Sequence, residues 1–97
     1  MGWEDSMKPI VRTATYLADL DDIAHYISRS NPQAAAALCR HIDDQVEKLS
    51  DPNFPRRIGR AFDTFELVAH KHYIVVFHET ATTIAALNVV HTRKRYP

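Results

Sequence analysis

The last seven residues of the chain, HTRKRYP from His91 to Pro97, place a histidine, three cations and a tyrosine directly after an apolar run. A second cationic cluster, PRRIGRAF, carries Arg56, Arg57 and Arg60. The guanidinium group binds phosphates and carboxylates in a bidentate manner, histidine exchanges a proton near neutral pH, and tyrosine can stack on a nucleic-acid base. These residue types indicate a site for an anionic partner or for phosphate chemistry.

The two clusters bracket the predicted strands of the C-terminal half. A small antiparallel sheet brings its strand ends within about 10 to 15 Å of one another, so one anion-binding patch could form. The residues expected to bind a target or partner are Arg57, Arg60, His91, Arg93, Arg95 and Tyr96. The alternative is that the basic C-terminus is only a solvated tail.

Other chemistry has little support in the sequence. His70 and His72 flank a predicted turn, and no neighbouring set of carboxylates or cysteines completes a four-ligand metal site. The only glycines are Gly2 and Gly59, so a Gly-rich phosphate loop is missing. Cys39 is predicted near the buried face of a helix, where a cysteine usually behaves as a small apolar residue. We expect no metal, no cofactor and no hydrolase nucleophile.

Length and composition predict one compact domain of 97 residues, with 45% hydrophobic and 25% charged residues. The net charge of zero hides a division between the two halves of the chain. Residues 1–51 carry nine acids and five bases (−4), and residues 52–97 carry three acids and seven bases (+4). Either a partner contacts the basic side, or the two surfaces simply differ.

A single cysteine and the lack of an apolar stretch of roughly 20 residues favour a cytoplasmic protein that neither spans a membrane nor is secreted. The start MGWEDS looks peripheral. We expect residues 1–7 to be a tag or an alternative-start extension, and residues 8–97 to form the domain.

Helical periodicity predicts two consecutive helices, from Ala14 to Ser30 and from Pro32 to about Ser50. Asn31 and Pro32 are typical of a helix start. The apolar face of the first helix is predicted to contain Tyr16, Leu20, Ile23 and Ile27, widened by Leu17 and Ala24.

Before the helices, PIVRT at 9–13 is typical of a strand. After DPNFP the period changes to two, which predicts three consecutive antiparallel strands at 64–70, 73–79 and 82–91. The element order predicts an α+β domain: an N-terminal strand, then a helical hairpin packed on one face of a small sheet, closed by a three-stranded antiparallel meander. We expect three or four mostly antiparallel strands.

Five segments, in this order, carry a family resemblance: DLDDIAHYI, NPQAA, IGRAF, FELVAHKHYIVVF and LNVVHTRKRYP. Over about residues 8–97 the chain resembles the RelE/ParE superfamily of bacterial toxins, and its ending is closer to the ParE-like branch. The resemblance implies the toxin of a type II toxin–antitoxin pair in the bacterial cytoplasm. It also implies a hetero-oligomer with a cognate antitoxin, ParD-like or another small antitoxin, and no sequence-specific DNA binding by the toxin alone.

Two activities compete within that superfamily. ParE-like members poison DNA gyrase without being hydrolases, whereas RelE-like members are ribosome-dependent mRNA endonucleases. Many relatives have Tyr-Arg-x-Val-Tyr where this chain has YIVVF at 73–77, so a cation is missing. Gyrase poisoning is therefore our leading hypothesis. In the alternative, His91 would act as acid or base, and Arg57, Arg60 and Arg93 would hold the phosphate.

The division of charge also gives an expectation for the antitoxin. Its C-terminal segment should fold on the toxin, contribute acids to the basic patch and place apolar side chains on the hairpin or the sheet.

Overall fold

A computed structural model describes residues 7–93. The elements in chain order are β1 (Ile10–Arg12), α1 (Ala14–Ser28), α2 (Pro32–Lys48), β2 (Arg57–Ile58), β3 (Phe65–His70), β4 (Tyr73–Glu79) and β5 (Ile84–His91). Two of the residues predicted to bind a partner, Arg95 and Tyr96, lie outside the described range.

Both helices begin at residues whose side chains cap the free backbone N–H groups. Thr13 accepts a hydrogen bond from the Tyr16 N–H, and Asn31 accepts one from the Ala34 N–H. Pro32 occupies the start of α2, where its missing N–H has no cost. The predicted helical hairpin is therefore confirmed, with each helix ending about two residues earlier than predicted.

The five strands form one sheet in the order β1-β5-β4-β3-β2. The three long strands pair antiparallel as predicted, β3 with β4 and β4 with β5. One feature differs from the prediction: a fifth strand, β2, adds to the far edge. The sequence leaves the partner of β1 open, and β1 pairs parallel to β5, within the expectation of a mostly antiparallel sheet. A strand of two residues is too short to show a period, and periodicity carries no information on strand direction.

The helices cover one face of the sheet. The buried cluster contains Tyr16, Ile42 and Val46 from the helices, Leu49 from the C-cap of α2, and Leu67, Ala69, Val75, Phe77, Ile84, Ala86 and Val89 from the sheet. Leu17 is half exposed, so its predicted place on the buried face of α1 is wrong.

Because side chains alternate along a strand, the residues between these core positions face the other side of the sheet. We call this side the outer face and define it by Glu66, Val68, Ile74, Val76 and Val90. The register sets Ile74 between Val68 and Val90, and Val76 beside Glu66. Among residues 7–93, no helix is both long enough and apolar enough to cross a bilayer.

Candidate functional site

His91 is held at the C-terminal end of β5, opposite Tyr73 at the start of β4. The ring centroids of these two residues are 5.2 Å apart in an edge-to-face arrangement. The backbone N–H of Arg93 donates to His91 Nδ1 at 3.1 Å. A neutral His91 ring therefore carries its proton on Nε2, which could donate to a phosphate or to a carboxylate.

His91 belongs to a row of histidines that the sequence did not predict. Its ring lies nearly parallel to that of His72, with centroids 5.6 Å apart, and His72 in turn contacts His70 at 5.5 Å. His41 on α2 extends the row, 6.3 Å from His70. The sequence did contain the information for three of these histidines, because a meander brings the end of β3, the start of β4 and the end of β5 to the same end of the sheet. We call these four residues the histidine row.

The histidine row has an electrostatic consequence at His70. Burial, together with the neighbouring His72, His41 and Lys71, lowers the pKa of His70 below its usual value. The His72 backbone N–H donates to His70 Nδ1 at 3.1 Å, which also requires that nitrogen to be unprotonated. Within residues 7–93, no group of three or more His, Cys, Asp or Glu side chains is placed to hold a metal ion.

The other predicted cluster is organised around a buried carboxylate. Glu66 lies on the outer face with 2% exposure, and its Oε1 accepts a hydrogen bond from Arg57 Nε at 2.8 Å. The Arg60 backbone N–H donates to Glu66 Oε2 at 3.3 Å. Arg56 is instead structural, because it donates to both Glu79 oxygens at 3.0 and 3.1 Å. Much of the charge of this cluster is therefore balanced within the fold.

The structure does not bring the two clusters together as one patch. Arg57 is in register with Glu66, Val76 and Asn88, and is therefore three strands, roughly 14 Å, away from β5. His91 lies a further three residues, roughly 10 Å, along β5. His91 and Arg93 occupy one end of the sheet, and Arg57 and Arg60 lie near the opposite end and edge.

Strand β2 and its connection to β3 each expose a large apolar side chain, Ile58 at 84% and Phe62 at 98%. Asp63, in the same connection, adopts a left-handed conformation with φ 59° and lies 3.1 Å from His78 Nε2 through its Oδ2. Asp is tolerated in this region of φ and ψ. This exposure could not be predicted from IGRAF, because Ile and Phe are residue types that are usually buried.

Three comparisons define the class of protein. The family model described as "ParE toxin of type II toxin-antitoxin system, parDE" matches residues 10–96. The chain belongs to this family, and it is a toxin of a type II toxin–antitoxin system.

Individual relatives agree with this assignment. The candidate toxin Y4kP of Sinorhizobium fredii is 30% identical over 92 residues, which cover 95% of this chain and 96% of that protein. A structure titled "Chromosomal ParDE TA system from P. aeruginosa" matches with a TM-score of 0.77 at 22% identity, covering 89% of this chain and 97% of that one. At that identity the structural match supports the fold, which agrees with the predicted α+β class.

Proposed function

We propose that this toxin arrests growth in the bacterial cytoplasm by poisoning DNA gyrase, and that a cognate antitoxin silences it by direct binding. Family membership supports a toxin with a partner antitoxin. The choice of target is supported by the outer face of the sheet.

The outer face is apolar at the position where related nucleases are expected to carry a cation. Ile74 occupies this position and lies between Val68 and Val90. Cleavage of RNA needs a positive group to stabilise the charge that develops on the phosphate. Arg57 reaches the same face, but it is ion-paired with the buried Glu66. The apolar side chain at residue 74 is the observation that carries the proposal, because Ile74 is only 4% exposed and carries no charge with which to hold a phosphate.

The C-terminal end of β5 is the proposed point of contact with gyrase. His91 is partly exposed there, and Arg93 is exposed at the beginning of the cationic tail. Arg57 and Arg60, near the opposite end of the sheet, form a second, separate surface that could contact the target or the antitoxin. No cofactor is required for either contact.

The test exposes the purified toxin in parallel to gyrase with supercoiled DNA and to translating ribosomes with mRNA. We expect double-strand breaks that require gyrase, and we expect His91→Ala to reduce them by about tenfold or more. His25→Ala is the matched control, because His25 is an exposed histidine on α1, ion-paired only with Asp21 among the described residues.

Cuts in the message that depend on the ribosome and disappear in His91→Ala would establish the nuclease alternative instead. The proposal also fails if the wild-type protein leaves both gyrase and the ribosome unaffected.

A further inference from the structure

Helix α1 and the C-terminal half of β5 enclose a groove of about 620 Å³. The α1 wall carries Asp19, Asp22, Ile23 and Tyr26, and Tyr73 of β4 lies at the base. The opposite wall is β5 from residue 88 to residue 91. The groove therefore ends at His91, where the cationic tail begins.

The β5 side of the groove is an edge with unused backbone groups. β1 pairs with β5 only as far as Ala86, and among residues 7–93 no strand covers this edge beyond it. Side chains of α1 occupy its first positions: Thr15 Oγ1 donates to the Leu87 carbonyl at 2.7 Å, and Asp19 Oδ2 accepts from the Val89 N–H at 2.9 Å. Beyond the Val89 N–H, no hydrogen bond among residues 7–93 joins α1 to this edge.

The alternation of backbone groups along a strand determines which N–H and C=O groups of β5 remain unpaired on the groove side. Because the Val89 N–H points away from β4, the Val89 carbonyl and the His91 N–H also point away from β4. The Thr92 N–H, one residue later, bonds the His72 carbonyl at 2.9 Å and so points the other way, as this alternation requires. Within the described part of the chain, no hydrogen bond engages the Val89 carbonyl or the His91 N–H on the groove side.

Charge and shape restrict what could bind there. The Asp22 side chain is exposed and makes no hydrogen bond or ion pair within residues 7–93, so it favours a cation in the occupant. Tyr26 is 71% exposed, and with Ile23 and Tyr73 it offers an apolar surface beside the open edge. An extended peptide pairs its backbone with such an edge and sends alternate side chains into the pockets beside it.

We propose that the groove receives an extended segment of the antitoxin, which adds to the edge of β5 at Val89 and His91. The segment places a basic side chain beside Asp22 and an apolar side chain against Tyr26. This inference rests on the proposed function, and it differs from the expectation that the antitoxin contributes mainly acids. Docking at His91 also places the antitoxin at the root of the tail that we propose contacts the target.

The experiment uses the toxin with the product of the antitoxin gene expected beside its own, and it measures Kd by calorimetry. We expect Asp22→Lys to weaken binding by about tenfold or more, since an apposed like charge is strongly unfavourable. Asp44→Lys, the same charge change at an exposed position of α2, should stay within about twofold. Tyr26→Ala, which alters no charge, should also weaken binding. The His91 amide should become protected from hydrogen exchange in the wild-type complex.

A growth-arrest assay distinguishes failure of this inference from failure of the proposed function. Asp22→Lys alone should arrest growth as the wild type does, but it should escape neutralisation by the antitoxin. An unchanged Kd with an unprotected His91 amide, or tighter binding by Asp22→Lys, overturns the inference while the antitoxin pairing stands. A wild-type toxin that binds no antitoxin overturns both.

Discussion

At the scale of single residues, two histidines share an arrangement that ties protonation to backbone conformation. His70 Nδ1 accepts the N–H of His72, and His91 Nδ1 accepts the N–H of Arg93, each at 3.1 Å. A proton on His70 Nδ1 would replace an acceptor by a donor and break its bond to the His72 N–H. That bond lies at the end of the sheet where β5 ends, so protonation of His70 should loosen this end.

The first prediction concerns pH. The folded pKa of His70 is lowered below 6.5, chiefly by burial and then by His72, His41 and Lys71, so the unfolded chain binds more protons as the pH falls. The stabilisation by neutral His70 is complete above about 6.5 and is lost as the pH falls through the folded pKa. Urea unfolding between pH 8 and pH 5 should show this decrease, and His70→Gln should make it smaller.

Two carboxylates contribute in a lower pH range. Burial alone would raise the pKa of Asp43 and of Glu79, but hydrogen bonds from Arg12 and Tyr16 and from Lys8 and Arg56 lower them below 3.8 and 4.5. Their stabilising contribution is therefore present above those values and lost below them.

If the free energy of unfolding has the same slope against pH in the wild-type protein and in His70→Gln between pH 8 and pH 5, the role given to His70 is wrong.

A second prediction concerns Asp43, which joins β1, α1 and α2. Its Oδ1 accepts from the fully buried Tyr16 hydroxyl and from Arg12 Nε, both at 2.8 Å. Asp43→Ala leaves the hydroxyl without its acceptor and should lower the free energy of unfolding by about 1–3 kcal/mol. The exposed neighbour Asp44→Ala should change it by less than about 0.5 kcal/mol. Combining Asp43→Ala with Tyr16→Phe should cost less than the sum, and strict additivity would show that the two groups do not interact.

At the scale of secondary-structure elements, α2 carries the central part of the helical face of the core. Ile42 is fully buried between the helices and the sheet. Ile42→Ala should therefore reduce the free energy of unfolding by about 2–5 kcal/mol, because the cavity adds to the lost transfer energy. Leu17→Ala, at a half-exposed position of α1, should cost less than about 1 kcal/mol in the same denaturation experiment. Equal losses at the two sites would contradict the packing described here.

How far the sequence determined these elements depends on their length. The helices and the three long strands extend over several periods, and Asn31 marked the second helix start, so periodicity was sufficient. Leu17 continued the apolar face in sequence, yet the sheet does not reach it. The two-residue β2 and the parallel pairing of β1 depend on contacts between distant segments, which periodicity does not encode. For the same reason the basic clusters could be identified, but their separation across the sheet could not.

At the scale of the whole molecule, many of the charges that distinguish the acidic half from the basic half are paired inside the fold, mostly within the same half. Lys8 contacts Glu79 at 2.7 Å, and Arg12 contacts Asp43 at 2.8 Å. Arg56 and Arg57 are each paired with an acid from the C-terminal half. Counting charges along the chain therefore overstates the basic character of the β2 region. The remaining cluster of cations in this half of the sequence is Arg93, Lys94 and Arg95 in the tail.

The last prediction tests that tail. Removing residues 94–97 should abolish growth arrest, because it deletes two cations and a tyrosine next to His91 and Arg93. Thr92 should be kept, since its N–H bonds the His72 carbonyl and its hydroxyl reaches the Lys71 carbonyl. Deleting from residue 92 would disturb the sheet edge as well as the tail. Thermal unfolding of the shorter truncation should match the wild type, and its Kd for the antitoxin should stay within about threefold.

The phenotype of the variant that lacks residues 94–97 identifies what the tail does. If loss of residues 94–97 removes arrest while folding and antitoxin binding persist, the tail engages the target rather than completing the domain. If that variant still arrests growth fully, the basic C-terminus is only a solvated end, and target binding must be sought at Arg57, Arg60 and the exposed Phe62 near the other end of the sheet.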